Sequence, residues 1–518
     1  MQDVIVISLA YILIHGFMLF LTGTFHDDWI SYFHDTTTKD MEGIESGRPY
    51  YSFLIELIWN LPGYGYRILS FFTYWASCLF IYGTFLFIRG IGRREARTIA
   101  LICLAVPVND ARVLLANYPY AFGMMLFFAG SFLLMKNIDR LNRVPVRIAI
   151  LLLFFCSFTL NSNLVLFGVV ILFLLIKFGW RKIYRYLDFI ALPVAFYALN
   201  RILFPVHGAY AEYNIVTSER LKWAILAIPE TVTEFCVSII RVVASENKVF
   251  WIAAGVGIVV ILISCYSSGR LTSKHFQWLS GIDNPTPSQM VEETDASGKK
   301  GALLFLLGLI TLAVGLFSYV VIRQRSSIEI VGIQGRDAIQ MGLGVAMMVV
   351  GGTNRRIRAA LTAFILTVGV MHFNIWYLHY QTEWYRQLAY QKQIVNVQEL
   401  ADGGNYMVIC QPETVLDDRR FYTWTGNTVA ATGRQNVLML NDEEDVSMLK
   451  DSSKMTSILS HYPMFRKYKA DHSSVDGSIL FSAEITRQET VRLKFLEIFN
   501  PERFEKEINQ IGAMEFSP

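Results

Sequence analysis

The sequence predicts an all-α polytopic membrane protein with about 11 transmembrane helices, followed by a C-terminal soluble α+β domain. The 518 residues are 53% hydrophobic and only 17% charged, which is too apolar for a soluble protein of this length. Apolar runs long enough to cross about 30 Å of hydrocarbon recur as far as Tyr377. Beyond that residue the pattern changes to short apolar strands separated by turn residues.

The predicted spans are apolar runs of variable length, and the third and fifth are short. They cover residues 3–22, 64–88, 96–108, 119–135, 147–160, 163–178, 187–204, 249–266, 302–321, 338–352 and 358–377. The first run lacks the basic start and the small-residue cleavage site of a signal peptide, so we interpret it as a retained helix. An odd number of spans places the two termini on opposite sides of the membrane.

Alternate loops are rich in Lys and Arg, which predicts that those loops are cytoplasmic. The basic loops contain Arg89, Arg93, Arg94, Arg97, Lys136, Arg140, Arg143, Arg147, Lys177, Arg181, Lys182, Arg185, Arg355, Arg356 and Arg358. The N-terminus is then cytoplasmic, and the segment from about residue 378 lies outside. The intervening outer loops are residues 23–63, 108–118, 205–248 and 322–337.

Three regions follow from this pattern: a transmembrane module over 1–380, a polar cytoplasmic linker over 267–301 and a soluble domain over 390–518. The soluble domain has the predicted strands NYMVIC, NVLMLN and SILFSA, followed by a helical stretch. It contains no GxGxxG, Walker or HExxH motif that would indicate a nucleotide or zinc site. A net charge of +3 gives no reason to expect a nucleic acid partner.

The first outer loop places an acidic pair, Asp27 and Asp28, directly after the first predicted span. A carboxylate at the membrane surface is partly desolvated, which raises its basicity and suits it to take a proton from an acceptor hydroxyl. The head group of a lipid phosphate would lie at the same depth. The alternative is that the pair caps the amphipathic segment WISYFHD. A divalent cation held with His26 and His34 is a further alternative, although the ligand spacing is not that of a defined metal site.

The second outer loop places Asn109, Asp110 and Arg112 directly after a short span. The same surface geometry makes Asp110 a candidate supporting acid and Arg112 a candidate for binding the donor phosphate or the acceptor. An ordinary loop cap accounts for Asp110 equally well.

The third outer loop contains Arg323, Arg325 and Arg336, against the trend that outer loops have few basic residues. Arginine binds phosphate through forked hydrogen bonds, so these residues are candidates for the donor phosphate. Ion pairs with Asp337, Glu329 or the acidic first loop are the structural alternative.

Four tyrosines lie beside the acidic loops and could stack on sugar rings: Tyr50, Tyr51, Tyr118 and Tyr120. Aromatic residues near the ends of spans are more often interfacial anchors, and this explains the tryptophans at the other span ends.

The layout resembles the GT-C superfamily of membrane glycosyltransferases: an inside N-terminus, an Asp-Asp pair after the first helix, many further spans and an outer C-terminal domain. Within it, HDDW followed by SGRPYYSF is similar to the first loop of the bacterial and phage O-antigen glucosyltransferases of the Gtr type. The bacterial protein mannosyltransferase and aminoarabinose transferase families share the layout. The tail lacks a WWD-type signature, which disfavours a protein-Asn acceptor, and the chain has no Asn-x-Ser/Thr sequon, which favours a prokaryotic source. The resemblance implies a multi-pass protein of a bacterial inner membrane.

The resemblance implies a polyprenyl-phosphate monosaccharide donor, an outer glycan acceptor such as O-antigen, and inversion at the anomeric carbon. It implies that Asp27 or Asp28 is the general base, with Asp27 preferred and Asp28 supporting, and that Asp110 is the second outer acid. Arg48 and Arg336 become candidates for acceptor positioning and for the donor phosphate. It implies no defined cofactor.

Two other classes of protein remain open. A lipid-linked substrate transporter or flippase would place ionisable residues at mid-membrane, whereas here the acids cluster at one surface. A polysaccharide assembly factor would share the layout without requiring an acidic pair after the first helix.

Overall fold

The computed structural model describes residues 2–26, 28–29, 41–59, 61, 65–159, 161–207, 218–245, 251–252, 254–255, 258, 297–322, 338–400, 404–411, 421–450 and 474–518. Most of them are helical. The helices are α1 (Gln2–His15), α2 (Pro49–Trp59), α3 (Gly65–Leu86), α4 (Arg93–Ala105), α5 (Tyr118–Lys136), α6 (Val144–Ser157), α7 (Asn161–Phe178), α8 (Leu187–Leu203), α9 (Ser218–Ser245), α10 (Ser297–Ile322), α11 (Met341–Gly352), α12 (Arg355–Ile394), α13 (Phe421–Thr432), α14 (Glu443–Lys450), α15 (Arg487–Phe499) and α16 (Pro501–Ile511).

Six helical segments within the described residues are long and apolar enough to cross a membrane. They are Gln2–Phe20, Gly65–Leu86, Leu115–Lys136, Trp180–Leu203, Lys300–Phe317 and Arg355–Ile394. Shorter apolar helices occupy three more predicted spans, at Val144–Ser157, Ser162–Phe178 and Met341–Gly352. The predicted third span corresponds to α4, and most of the predicted span 249–266 lies outside the described residues. The count of eleven therefore stays a prediction.

Helices α10 and α11 pack closely because small residues line the contact between them. A Cβ atom on Gly308 would lie 2.8 Å from the Met348 backbone nitrogen, and one on Gly344 would lie 2.8 Å from the Leu312 backbone nitrogen. Side chains at either position would push the two helices apart. Lipid tails are as apolar as the helices, so the hydrophobic effect does not drive transmembrane helices together. Such helices usually associate by close packing at glycine and other small residues.

Helix α12 is 40 residues long, from Arg355 to Ile394. At 1.5 Å per residue it extends for about 60 Å, roughly twice the thickness of the hydrocarbon core. Its first half contains the predicted last span, 358–377. The second half continues as a stem into the C-terminal region.

The C-terminal region contains a four-stranded sheet in the order β2-β1-β3-β4. Strand β1 is parallel to both β2 and β3, and β4 is antiparallel to β3. Each of the three predicted strand sequences overlaps one of the first three strands. The strands are β1 (Asn405–Gln411), β2 (Leu438–Leu440), β3 (Gly477–Ser482) and β4 (Ala513–Ser517).

The stem half of α12 belongs to the core of this sheet region. Tyr385, Tyr390 and Ile394 are fully buried in one cluster with Val408 of β1 and Phe481 of β3. The predicted border between the two modules, at about 380–390, thus falls inside one continuous helix. The first half of α12 packs in the bundle, and the second half packs on the sheet. A helix that packs on a sheet needs only one apolar face, so the continuous apolar run ends where the packing partner changes.

Candidate active site

The residues that follow the first span lie along the stem half of α12. Phe25 contacts Tyr380, with ring centroids 5.1 Å apart, and Gln381 donates to the Thr22 hydroxyl at 3.4 Å. A Cβ atom on Gly23 would lie 2.7 Å from the Trp384 Cβ, so only glycine allows this approach. The start of the first outer loop is therefore held against a rigid helix.

Asp28 joins the first outer loop to the second. Its side chain is 1% exposed, and its Oδ1 accepts a hydrogen bond from the Ala116 backbone N–H at 3.1 Å. Two loops that are 88 positions apart in sequence meet at this carboxylate. A hydrogen bond from a backbone amide to a carboxylate favours the charged form and fixes its orientation.

Trp29 fixes the same segment to the C-terminal region. Its indole N–H donates to Gln387 Oε1 of α12 at 2.9 Å, and Asn427 of α13 donates to the same oxygen at 3.1 Å. The indole also packs on Gly426, where a Cβ atom would lie 2.9 Å from the Trp29 ring. We call residues 26–29 the acidic segment. Through Asp28 and Trp29 it contacts the bundle, the stem half of α12 and the sheet region.

Two non-glycine residues of the described chain have positive φ, and each one directly precedes an acid of the predicted site. His26 has φ 43° and is followed by Asp27 and Asp28, while Asn109 has φ 60° and is followed by Asp110. Left-handed backbone is uncommon outside glycine, His and Asn adopt it more readily than most residues, and it persists where the surroundings hold it. Its occurrence before both acidic positions supports a functional constraint on these two turns.

The His26 ring is held by the C-terminal region. The Tyr422 hydroxyl lies 3.2 Å from His26 Nδ1, and the two rings meet edge to face with centroids 5.5 Å apart. This contact stabilises the turn that presents the acidic pair.

Arg67, at the start of α3, is a buried cation that our sequence reasoning missed. It is 1% exposed and donates to the Leu21 carbonyl at 2.7 Å and to the Gly23 carbonyl. Its guanidinium also lies over the Phe25 ring, 5.5 Å from the centroid. A positive charge therefore lies directly behind the acidic segment. The signal was an isolated arginine inside a predicted span, which is costly unless it is paired.

The second outer loop is stabilised from inside the bundle. Asn109 donates to the Tyr74 hydroxyl at 3.2 Å, and Asn117 donates to the Ala111 carbonyl at 2.6 Å. Asp110 is fully buried at the start of a short 3-10 helix, Asp110–Val113. The loop is thus a packed structure and not a solvated connection.

Arg112 points into the bundle. It donates to the Asn109 carbonyl at 3.0 Å, its Nη1 lies 3.0 Å from His15 Nε2, and it lies over the Phe373 ring. His15 Nε2 also lies 3.1 Å from the Leu104 carbonyl oxygen, and His15 Nδ1 lies 2.9 Å from the Tyr377 hydroxyl. The protein itself uses this guanidinium, so we exclude Arg112 from the proposed phosphate site.

Three of the predicted contact residues lie near these loops. Tyr118 is 4% exposed and its ring stacks on Phe122, so packing accounts for it. Tyr120 is partly buried against the bundle core. Tyr50 is half-buried, and burial raises the pKa of its hydroxyl to about 12.

Arg48 lies at the end of a turn that is fixed to the end of α8. The Gly47 carbonyl accepts from Asn200 at 3.0 Å, and the Glu45 carbonyl accepts from the His207 N–H at 3.1 Å. Gly47 has φ 71°, which favours glycine at this turn.

Five predicted site residues fall outside what the structure describes. Asp27, Arg323, Arg325 and Arg336 lie outside the described residues, as does the side chain of Tyr51. Their roles stay predictions. Within the described ranges, no group of three His, Cys, Asp or Glu side chains could hold a metal ion.

Buried charged residues also lie where the bundle meets the C-terminal region. Glu383 and Arg386 of α12 are 4% and 5% exposed. Lys494 of α15 donates to Glu497 at 2.7 Å, and burial together with the charge of Arg67 lowers the pKa of this lysine. These residues lie beyond the last predicted span, where no sequence pattern indicates buried charge.

The arrangement holds the second carboxylate of the acidic pair in place. Asp28 is buried and bonded to a backbone amide, so its position is fixed. Asp27 precedes it, after a turn whose backbone is itself constrained at His26. Carboxylates are suited to proton transfer, and the side chain of Asp27 itself lies outside the described residues.

No protein-family model and no curated protein matches this sequence. Among solved structures, the chain is similar to ArnT from Cupriavidus metallidurans, in a crystal structure bound to undecaprenyl phosphate, with 12% sequence identity and a TM-score of 0.37. The match covers 93% of this chain and 92% of ArnT. A likeness of this degree carries no argument about fold or activity, so the assignment of a function depends on the chain's own residues.

Proposed function

We propose that this protein is a membrane glycosyltransferase that moves a monosaccharide from a polyprenyl-phosphate donor to a glycan acceptor on the outer side of a bacterial inner membrane. The observation that carries the proposal is the pair of constrained turns. The two non-glycine residues with positive φ in the described chain, His26 and Asn109, each directly precede a predicted acid. The similarity of HDDW and SGRPYYSF to the first loop of Gtr-type transferases supports the same assignment.

In the proposed topology, eleven spans place the N-terminus in the cytoplasm and the C-terminal α+β region outside. The acidic segment then lies at the outer surface, where a lipid-linked donor arrives along the membrane and a glycan arrives from water. The buried contacts of Asp28 with Ala116, and of Trp29 with Gln387, support a site built where the bundle meets the C-terminal region.

In the proposed reaction, an acceptor hydroxyl oxygen attacks the anomeric carbon of the donor sugar. The hydroxyl proton passes to the Asp27 carboxylate as the new glycosidic bond forms. The bond between the anomeric carbon and the phosphate oxygen breaks on the opposite face, and the polyprenyl phosphate leaves with the electron pair. Because the acceptor attacks the face opposite the leaving phosphate, the anomeric configuration is inverted.

We assign different roles to the charged residues of the proposed site. Asp28 is a positioning residue, because its carboxylate bonds to the Ala116 amide and orients the segment. Arg67 holds the segment through the Leu21 carbonyl and adds a positive field behind it. Arg48 and Arg336 remain the candidates for the acceptor and the donor phosphate.

The proposal is tested with the full-length protein in proteoliposomes, given a polyprenyl-phosphate sugar labelled in the sugar and a soluble glycan acceptor. We expect the label to enter the glycan with inverted anomeric configuration, together with release of polyprenyl phosphate. Label that crosses the bilayer while still attached to its lipid would indicate a flippase and would contradict the proposal.

A further inference from the structure

A cavity of about 1850 Å³ lies within the bundle, at the end formed by the basic loops. It is bounded by helices α1, α3, α4, α5, α7, α10, α11 and α12 together with the loop between α3 and α4. By the distribution of Lys and Arg, this is the cytoplasmic end of the protein. It is therefore the end opposite the candidate active site.

The interior of this cavity is apolar. Side chains from separate helices line it, among them Phe127 of α5, Leu166 of α7, Leu304 of α10 and Met347 of α11. Protein interiors leave few voids larger than a water molecule, and sites for small ligands measure about 300–1,000 Å³. A cavity of this larger volume with apolar walls is suited to hydrocarbon chains.

The mouth of the cavity is cationic. Eight basic residues line it against two acidic ones, Asp3 and Glu95. The basic residues are Arg89, Arg93, Arg94, Arg97, Lys177, Lys300, Arg355 and Arg358.

Ion pairs account for only part of this charge. Arg97 pairs with Asp3 at 2.9 Å, Arg93 pairs with the same carboxylate, and Arg358 pairs with Glu95 at 2.7 Å. The other five cations make no ion pair with another described residue. An excess of positive charge therefore faces the opening.

One of these cations is placed by a glycine. Gly90 has φ 88°, and a Cβ atom there would lie 2.9 Å from Lys300 Cδ and 3.2 Å from Lys300 Nζ. The glycine lets the α3–α4 loop turn and lets the lysine lie across it. Membrane insertion explains why cations collect in cytoplasmic loops, but it does not require a glycine that positions a lysine at the mouth of a cavity.

We propose that this cavity binds an anionic phospholipid of the cytoplasmic leaflet. The phosphate lies among Arg89, Lys300 and Arg355, and the acyl chains lie between the helices. Basic pockets between transmembrane helices on the cytoplasmic side suit such head groups. The volume favours a two-chain lipid over a single small ligand. The inference does not depend on the proposed transfer reaction.

The experiment measures phospholipid retention on the detergent-purified full-length protein by native mass spectrometry, after exchange into phosphatidylglycerol or phosphatidylcholine. The test variant is R89Q/K300Q/R355Q. The control, R140Q/R143Q/K182Q, removes the same charge from exposed residues on the same end that do not line the cavity.

We expect wild type and control to retain phosphatidylglycerol in preference to phosphatidylcholine. We expect the test variant to bind it about 100-fold more weakly, because each cation near a membrane surface contributes roughly fivefold. One further variant keeps the charges and tests the geometry. Leu307→Trp fills the cavity and should weaken retention.

Equal retention by wild type, the test variant and Leu307→Trp would overturn the proposal, as would equal binding of the two phospholipids. Recovery of a polyprenyl phosphate in place of a phospholipid would also overturn it. None of these outcomes involves sugar transfer, so failure here is distinguishable from failure of the proposed reaction.

Discussion

The two ends of the helical bundle use charge in opposite ways. At the candidate active site, Asp28, Arg67 and Arg112 are each at most 8% exposed and bond to backbone or to buried side chains. At the other end, cations such as Arg89 and Arg355 are exposed around a large cavity. The first pattern fixes geometry, as a chemical step requires, and the second leaves room for an anionic ligand to exchange.

This difference predicts unequal tolerance to substitution. A buried group that loses its partner incurs the full desolvation cost, whereas exposed charges contribute little to folding. Changes at the acidic segment should therefore lower both stability and transfer, while single changes at the cationic mouth should leave folding almost unaltered.

The largest effect on stability is expected at Asp28. Asp28→Ala removes the carboxylate that accepts a hydrogen bond from the Ala116 N–H and should lower the free energy of unfolding by about 1–3 kcal/mol. Asp28→Asn keeps an oxygen at that position and should recover most of the stability. Denaturant unfolding of the detergent-solubilised protein measures both. Equal stability of the alanine variant and wild type would mean that the contact between the two loops does not stabilise the fold.

The next effect is steric. Gly23→Ala would place a Cβ atom 2.7 Å from the Trp384 Cβ, so the first loop must move away from α12, at a cost of about 1–3 kcal/mol. Gly168→Ala is the control, since a Cβ atom there meets nothing within 4 Å. Thermal unfolding compares the two variants. Similar melting temperatures would show that the acidic segment is not held tightly against the stem.

A smaller effect tests the contact with the sheet region. The Trp29 N–H donates to Gln387, and a double-mutant cycle with Trp29→Phe and Gln387→Leu should give a coupling free energy of about 0.5–1.5 kcal/mol. A coupling free energy near zero would show that this hydrogen bond does not stabilise the contact between the acidic segment and the C-terminal region.

The smallest effect lies away from both ends. The backbone N–H and hydroxyl of Thr486 bond to the Glu489 carboxylate and hold its pKa below the ordinary value of 4.5. Because the folded pKa is lowered, this stabilisation is present above the unfolded pKa and is lost as pH falls through the folded value. Melting temperatures of wild type and Glu489→Gln should therefore converge between about pH 6 and pH 3. A constant difference over that range would exclude this linkage.

Much of the helical layout follows from the sequence because long apolar runs have few alternatives in a membrane. The runs at 3–22, 64–88 and 358–377 each fall within or largely coincide with a long apolar helix. The continuation of α12 to Ile394 was not predicted, because the criterion was hydrophobicity and the stem is half polar. Helical structure there depends on the sheet that packs against it.

The candidate site was predictable in part. The acidic residues are visible as charges beside apolar runs. Asp28 and Asp110 are both buried, and their catalytic roles stay predictions. The backbone constraint at His26 and the burial of Arg67 were not visible, since φ angles and long-range contacts leave no local pattern. Arg112 shows the converse. Its loop position predicts an arginine that is available to a ligand, whereas its side chain lies inside the bundle next to His15.

The central claim is that the acidic segment performs the chemistry, and sugar transfer by Asp27→Asn tests it most directly. Asp139→Asn is the matched control, an exposed aspartate in a loop at the opposite end. With full-length protein, a labelled polyprenyl-phosphate sugar and a glycan acceptor, we predict that Asp27→Asn lowers the transfer rate by at least about 100-fold, because a general base contributes 10²–10⁴-fold. Asp139→Asn should transfer at the wild-type rate. Full transfer by folded Asp27→Asn would contradict the assignment of the base.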